Sequence, residues 1–174
     1  MGTNKKYLNY IKTLTEFTTE HCSCHNCPAK LFNEKEDYIC SGIGNRGSIC
    51  CIILPTYIST NIKLFNEIIN LINEAYKEKY NIGLLETVYI TPSIKCFVDG
   101  CSYKVSHTML EKCAVKTQSE FYNNNFTKII FLGDSKDLLM YLNVPSYHHL
   151  GCPYNIFVDD NEKNTFLKLL FKVL

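Results

Sequence analysis

The sequence contains a single arginine, Arg46, against 17 lysines. Guanidinium groups supply much of the bidentate hydrogen bonding by which proteins read guanine edges, so that mode of base recognition is nearly excluded. Net charge is also scarce: 18 basic and 17 acidic residues leave +1 at neutral pH. Bulk electrostatics therefore do not mark the chain as a nucleic-acid binder. No stretch approaches the roughly 18 apolar residues of a membrane span, so no membrane partner is expected. The opening "MGTNKKYLNYIKTLTEF" has no apolar run of signal-peptide length. Gly2 is not followed by Ser or Thr at position 6, which removes the myristoylation pattern. An intracellular protein is expected, cytoplasmic or associated with the nucleoid or nucleus.

What the chain has in quantity is cysteine, ten in all. In a reducing compartment that number points to metal ligation and buried thiols, not to a disulfide framework. A length of 174 residues with 46% hydrophobic and 20% charged content suits one domain, residues 1–174, with a sizeable core. No repeat, linker or domain boundary is visible.

Apolar residues at Tyr7, Leu8, Ile11, Leu14 and Phe17 predict an N-terminal helix over 4–20. The cysteine-rich "HCSCHNCPAK" follows as a loop, and "SGIGNRGS" (41–48) reads as a glycine-rich turn. Strands are predicted at 49–54 ("ICCIIL"), 86–90 ("ETVYI"), 128–133 ("KIIFLG") and 154–158 ("YNIFV"). Helices are predicted at 61–79, 106–122, 134–142 (with Asp134 as N-cap) and 161–173. This alternation implies a three-layer α/β/α fold around a mostly parallel four-stranded sheet. Ligands on such sheets bind beyond the carboxyl ends of the strands, here the loops near 55–60, 91–101, 133 and 159–161.

Cys24 and Cys27 form a C-x-x-C pair, which lets two sulfurs reach one metal from one turn. Other cysteines must complete the site. Cys50 and Cys51 fall in a core strand and read as buried thiols. Cys96 follows the second strand, and Cys113 lies on the next helix.

The ordered set "CHNCPAKL", "GIGN", "ICCIIL", "VYITPSIKC", Cys113 and "KIIFLGDS" resembles the iron–sulfur uracil-DNA glycosylases, over about residues 20–142. In that family a C-x-x-C pair is followed at long range by a cysteine ending a "YITN-x-x-KC" motif, and then by a fourth cysteine. Here 68 residues separate Cys27 from Cys96, and 16 separate Cys96 from Cys113. The resemblance implies a uracil-DNA-glycosylase-like fold and a 4Fe–4S cluster on Cys24, Cys27, Cys96 and Cys113. Four thiolates are the usual ligand set for such a cluster. A four-cysteine zinc site uses the same ligands. Cys22 in place of Cys24, a contribution from His25, or structural cysteines without metal remain open.

The catalytic motifs of the family are altered. Its "GEAPG"-like loop corresponds to "IILPTYIST": Pro55 matches the proline, Ile53 or Leu54 replaces the acidic residue, and Thr56 replaces the following glycine. No Asp or Glu occurs between Cys51 and Asn66. An aromatic residue stacks on the base in the family. Phe65 or Tyr57 is the candidate here, although Phe65 also fits the core stripe of its helix. The asparagine that pairs with the uracil edge becomes Pro92, which offers neither an amide side chain nor an N–H. The histidine–proline motif after the last strand falls on Asp159 and Asp160 if "YNIFV" is that strand. It falls on "VPSYHHLG", with His148 retained, if the strand is absent. The first alignment is preferred, because the second leaves no strand to deliver the motif.

"GIGNRGS" offers Gly42, Gly44, Asn45 and Arg46 as a phosphate cradle, or simply as a tight turn. It lacks the Gly-Lys-Ser/Thr ending of a P-loop. Lys95, Lys104, Lys112 and Lys116 are candidates for DNA-backbone contact or for a solvated face. The expectation is a glycosylase-like protein without uracil excision that serves DNA transactions, as a DNA-binding module or by docking on a replication or repair protein. The alternatives are an active DNA glycosylase with a rearranged pocket and a four-cysteine zinc protein.

Overall fold

The computed structural model describes residues 42–95, 105–152 and 154–174. The predicted helix over 4–20 and the cysteines at 22, 24, 27 and 96 lie outside them, as does Lys104. The described chain is α/β. Its strands are β1 (Ile43–Gly44), β2 (Cys50–Leu54), β3 (Tyr89–Pro92), β4 (Lys128–Leu132) and β5 (His148–Leu150). They form one five-stranded sheet in the order β1-β3-β2-β4-β5. Pairings among β2, β3, β4 and β5 are parallel, and only β1 runs antiparallel, against β3.

The helices are α1 (Thr56–Ser59), α2 (Ile62–Tyr80), α3 (Leu84–Thr87), α4 (His107–Asn123) and α5 (Asp160–Val173). Residues Gly133–Met140 and Tyr154–Phe157 form 3₁₀ turns. The alternation of side chains along β2 assigns each residue to a face. Ile52 and Leu54 join Ile90, Ile130 and Leu132 on one face, under Phe65, Ile68, Ile69 and Ile72 of α2 and Phe166 and Leu170 of α5. Cys51 and Ile53 join Tyr89, Ile129 and Phe131 on the other, under Met109, Leu110, Cys113 and Ala114 of α4. Helices thus cover both faces, which is why β2 reads as an unbroken apolar run. Each fully buried Ile, Leu or Phe contributes about 1.5–3 kcal/mol.

α2 begins at Asn61, whose side chain accepts from the amides of Lys63 and Leu64, and ends at Asn81 in the left-handed conformation. Ser106 caps α4 through the Met109 amide. Asp159 caps α5 through the amides of Asn161 and Glu162.

Four expectations are corrected. The sheet has five strands, not four: β1 is two residues long, too short to show any periodicity. The last strand is β5 at His148–Leu150, not residues 154–158. β5 lies at the sheet edge and is partly exposed, so it needs no apolar run, whereas within Tyr154–Phe157 only Ile156 is buried. β3 ends at Pro92, with residues 84–87 in α3. The segment after β4 is 3₁₀ rather than α-helical, and Asp134 does not cap it: its carboxylate is taken up by Thr56.

Candidate functional site at the strand ends and the α4 corner

Because β2, β3, β4 and β5 are parallel, their carboxyl ends share one edge. Pro55, Ser93, Gly133 and Gly151 directly follow these strands. Register pairs Ile53 with Thr91 and Leu54 with Pro92, so the altered motif positions lie side by side. Ile53 and Leu54 are buried in opposite core clusters, and neither offers a polar group to a ligand. Pro92 is buried at the last position of β3, beyond the β1 pairing, where its missing N–H is tolerated.

The polar groups at this edge bond to one another. Asp134 Oδ1 accepts from the Thr56 amide at 2.7 Å, and Oδ2 accepts from the Thr56 hydroxyl. Ser59 Oγ donates to the Pro55 carbonyl at 2.7 Å and accepts from the Ser93 amide at 2.9 Å. Ser135 Oγ donates to the Ile53 carbonyl at 3.1 Å. His149 Nε2 donates to the Gly133 carbonyl at 2.9 Å. Tyr57 Oη lies 3.6 Å from Cys152 Sγ, and the Tyr57 ring packs on Tyr154 with centroids 4.2 Å apart. Burial pushes the Cys152 thiol up to about 11, with Asp134 adding to the shift and the Tyr57 hydroxyl opposing it. Burial raises Tyr57 as well. Cys152 is therefore a neutral thiol at pH 7, not an activated nucleophile.

Gly133 makes the close packing possible. It has φ of 56°, and a Cβ there would sit 3.3 Å from Pro55 Cγ.

The second cluster lies where β3 ends against α4. Lys95 is 1% exposed. Its Nζ donates to Glu120 Oε2 at 2.9 Å and to Thr91 Oγ1. Thr91 Oγ1 donates to the same Glu120 oxygen at 2.6 Å, while Glu120 Oε1 accepts from the Gly42 amide at 3.2 Å. The Lys95 amide donates to Cys113 Sγ at 3.4 Å.

Among the metal candidates, Cys113 is described and buried, whereas Cys24, Cys27 and Cys96 lie outside the described residues. An amide hydrogen bond to sulfur stabilises negative charge there, and Cys113 receives one from Lys95. Among the described residues alone, no group of three or more His, Cys, Asp or Glu side chains could hold a metal. Cys50 and Cys51 are the buried core thiols expected, both raised by burial, Cys50 to about 11.

In the glycine-rich turn, Gly44 has φ of 104°, and a Cβ there would meet the Val88 carbonyl oxygen at 2.3 Å. The amides of Gly42, Asn45, Gly47 and Ser48 donate to Glu120, Val88, the Asn45 side chain and the Asn45 carbonyl. Those donors are committed within the protein, so the tight-turn reading holds and Arg46 is simply exposed. Phe65 belongs to the core under α2, as its helical stripe indicated.

The lysine expectation changes for Lys95, which is a buried ion-pair partner and not a solvated or DNA-facing cation. Lys112 is exposed. Asp160 loses the strand that was to deliver it. It opens α5, exposed, in an ion pair with Lys163 that lowers its carboxyl. Cys152 instead follows β5 into the edge cluster.

Sequence reasoning missed Asp134, Cys152 and Tyr154 as members of the edge cluster, and Glu120 as the partner of Lys95. The glycine–aspartate step after an apolar strand was the available signal for Asp134. For Glu120 the signal was its position two turns beyond Cys113 on one helix.

Among the described residues no helix is long and apolar enough to cross a membrane. No protein-family model matches the chain, and a comparison with curated proteins finds no match.

Proposed function

We propose that this chain is an iron–sulfur, uracil-DNA-glycosylase-like protein that has lost uracil excision and acts as a DNA-binding accessory in replication or repair. The observation that carries the reading is the contact between the Lys95 amide and Cys113 Sγ. Lys95 is the residue before Cys96 in the sequence, and Cys113 follows Cys96 after 16 residues, the interval of the motif series. Cys24, Cys27, Cys96 and Cys113 would hold the cluster. Four thiolates there would join the N-terminal segment, the end of β3 and α4, and so act first as a structural staple.

The loss of excision is argued from chemistry at the strand ends. Excision requires a group that reads the flipped base, one that places water, and donors for the departing uracil anion. At the positions of the resemblance stand Pro92 and Ile53, neither of which offers a donor or base, and Asp160, an exposed carboxylate paired with Lys163 that would repel a uracil anion. A second reading, an active glycosylase with a rearranged pocket, draws on Asp134, a carboxylate at the end of β4. Both of its oxygens are already bonded to Thr56, which weakens that reading.

The test is iron and acid-labile sulfide analysis of anaerobically purified protein, alongside Cys113→Ser. About four of each per chain are expected in the wild type, as for a 4Fe–4S cluster, with both lost in the variant. Zinc in place of iron and sulfide would leave the four-cysteine zinc protein as the reading.

A further inference from the structure

We propose that the C-terminal ends of α2 and α5 form a ledge for single-stranded DNA, an inference that rests on the DNA-binding reading above. The ledge lies at the edge of the sheet opposite the strand ends. α2 connects the parallel strands β2 and β3, so it ends at their amino side. α5 ends there too, because Lys128, the first residue of β4, donates through Nζ to the Leu174 carbonyl at 2.9 Å.

Aromatic rings join the two helix ends. The centroids of Tyr76 and Tyr80 are 4.5 Å apart, and Phe171 of α5 stands edge-on to them at 5.8 and 6.1 Å. Tyr80 is 42% exposed. Lys79 Nζ sits over the rings of Tyr80 and Phe171, 4.9 and 5.3 Å from their centroids. Lys77, Lys168 and Lys172 are exposed on the same two helices, against Glu74 and Glu78. From Lys163 to Val173, α5 carries no Asp or Glu. Lysines in the last turn of a helix complement its dipole, as Lys77, Lys79 and Lys172 do here. That accounts for the charge, but not for an open tyrosine ring held beside an ammonium. The two together match a single strand: ammonium groups for the phosphates and a π-face for an unpaired base. Stacking tolerates any base and needs no guanidinium, which suits a chain with one arginine. A duplex keeps its bases stacked on one another and offers the ring no partner.

The experiment titrates labelled oligo(dT), single-stranded or annealed to its complement, with anaerobically purified protein over a range of salt concentrations. Wild type is compared with K79Q/K172Q, Y80L and K136Q, the last an exposed lysine after β4 at the opposite edge. Far-UV circular dichroism and urea midpoint follow the fold. Wild type is expected to bind the single strand more tightly than the duplex. K79Q/K172Q is expected to flatten the log–log salt dependence by about 1.4, two phosphate contacts at about 0.7 each. Y80L keeps apolar bulk without the π-face, and is expected to bind about fivefold more weakly or worse with the slope unchanged. K136Q is expected to match wild type. K79Q/K172Q alters exposed side chains only, so it decides the matter if Y80L does not fold. A wild-type slope in K79Q/K172Q, wild-type affinity in folded Y80L, a loss in K136Q as large as in K79Q/K172Q, or duplex binding as tight as single-strand binding would overturn the ledge and leave DNA binding standing. A wild type that binds neither probe would overturn the DNA-binding reading itself and the ledge with it.

Discussion

At the carboxyl ends of the strands, polar side chains bond to the backbone and to one another, and among the described residues Asp134 bonds only to Thr56. At the α4 corner, by contrast, a buried ammonium and a partly buried carboxylate 25 residues apart pair and gather three chain segments. The first arrangement closes a surface upon itself. Asp134 takes the Thr56 amide, Ser59 takes the Ser93 amide, and His149 takes the Gly133 carbonyl. The second arrangement is a junction whose members make sense only together. Among the described residues the edge where ligands normally bind is self-satisfied, and the organised charge stands beside Cys113.

The sharpest way to break this comparison is Glu120→Ala. It leaves the Lys95 ammonium buried without its carboxylate, which should lower stability by about 3–5 kcal/mol in urea unfolding. A loss under 1 kcal/mol, on the order expected of an exposed pair, would show that the corner is not a buried junction. Next is Gly133→Ala at the strand ends. A side chain at φ of 56° beside Pro55 should cost about 1–3 kcal/mol. An unchanged midpoint would mean that the edge cluster is loosely packed. Asp134→Ala should cost less, about 0.5–2 kcal/mol, because it strands one amide and one hydroxyl and leaves no unpaired charge. If its effect exceeded that of Glu120→Ala, the contrast between the two clusters would be reversed.

The smallest effect is a pH dependence. The Cys50 and Cys152 thiols are raised from 9.0 to about 11 by burial. A thiol whose folded pKa lies above its unfolded value favours the fold while protonated. That contribution is full below about pH 9 and declines as pH rises toward about 11, where the unfolded chain ionises first. The slope of urea stability between pH 8 and pH 10 should therefore be shallower in Cys50→Ala/Cys152→Ala than in wild type. Equal slopes would place both thiols in water.

The sequence carried the sheet where burial on both faces imposes a run, as in "CCIIL" and "KIIFL", and carried α2 and α4 where apolar residues recur at helical spacing. It misled where a strand lies at an edge. His148 and His149 pair with β4 through backbone groups that have no side-chain signature, so the apolar "YNIF" drew the strand assignment and with it Asp160. The junction was illegible for a related reason. Lys95 and Glu120 are ordinary residues on separate elements, and only the folding of β3 against α4 makes one the partner of the other. The bond from the Lys95 amide to Cys113 had no signature in the sequence either.

The most direct test of the central claim is a single-turnover assay. Excess anaerobically purified protein is mixed with a labelled oligonucleotide containing one uracil, and alkali-labile breaks and band shift are scored from the same tubes. The account predicts a band shift without a break at the uracil. A break at the uracil would contradict it, and would mean that the strand-end cluster around Asp134 opens into a working pocket.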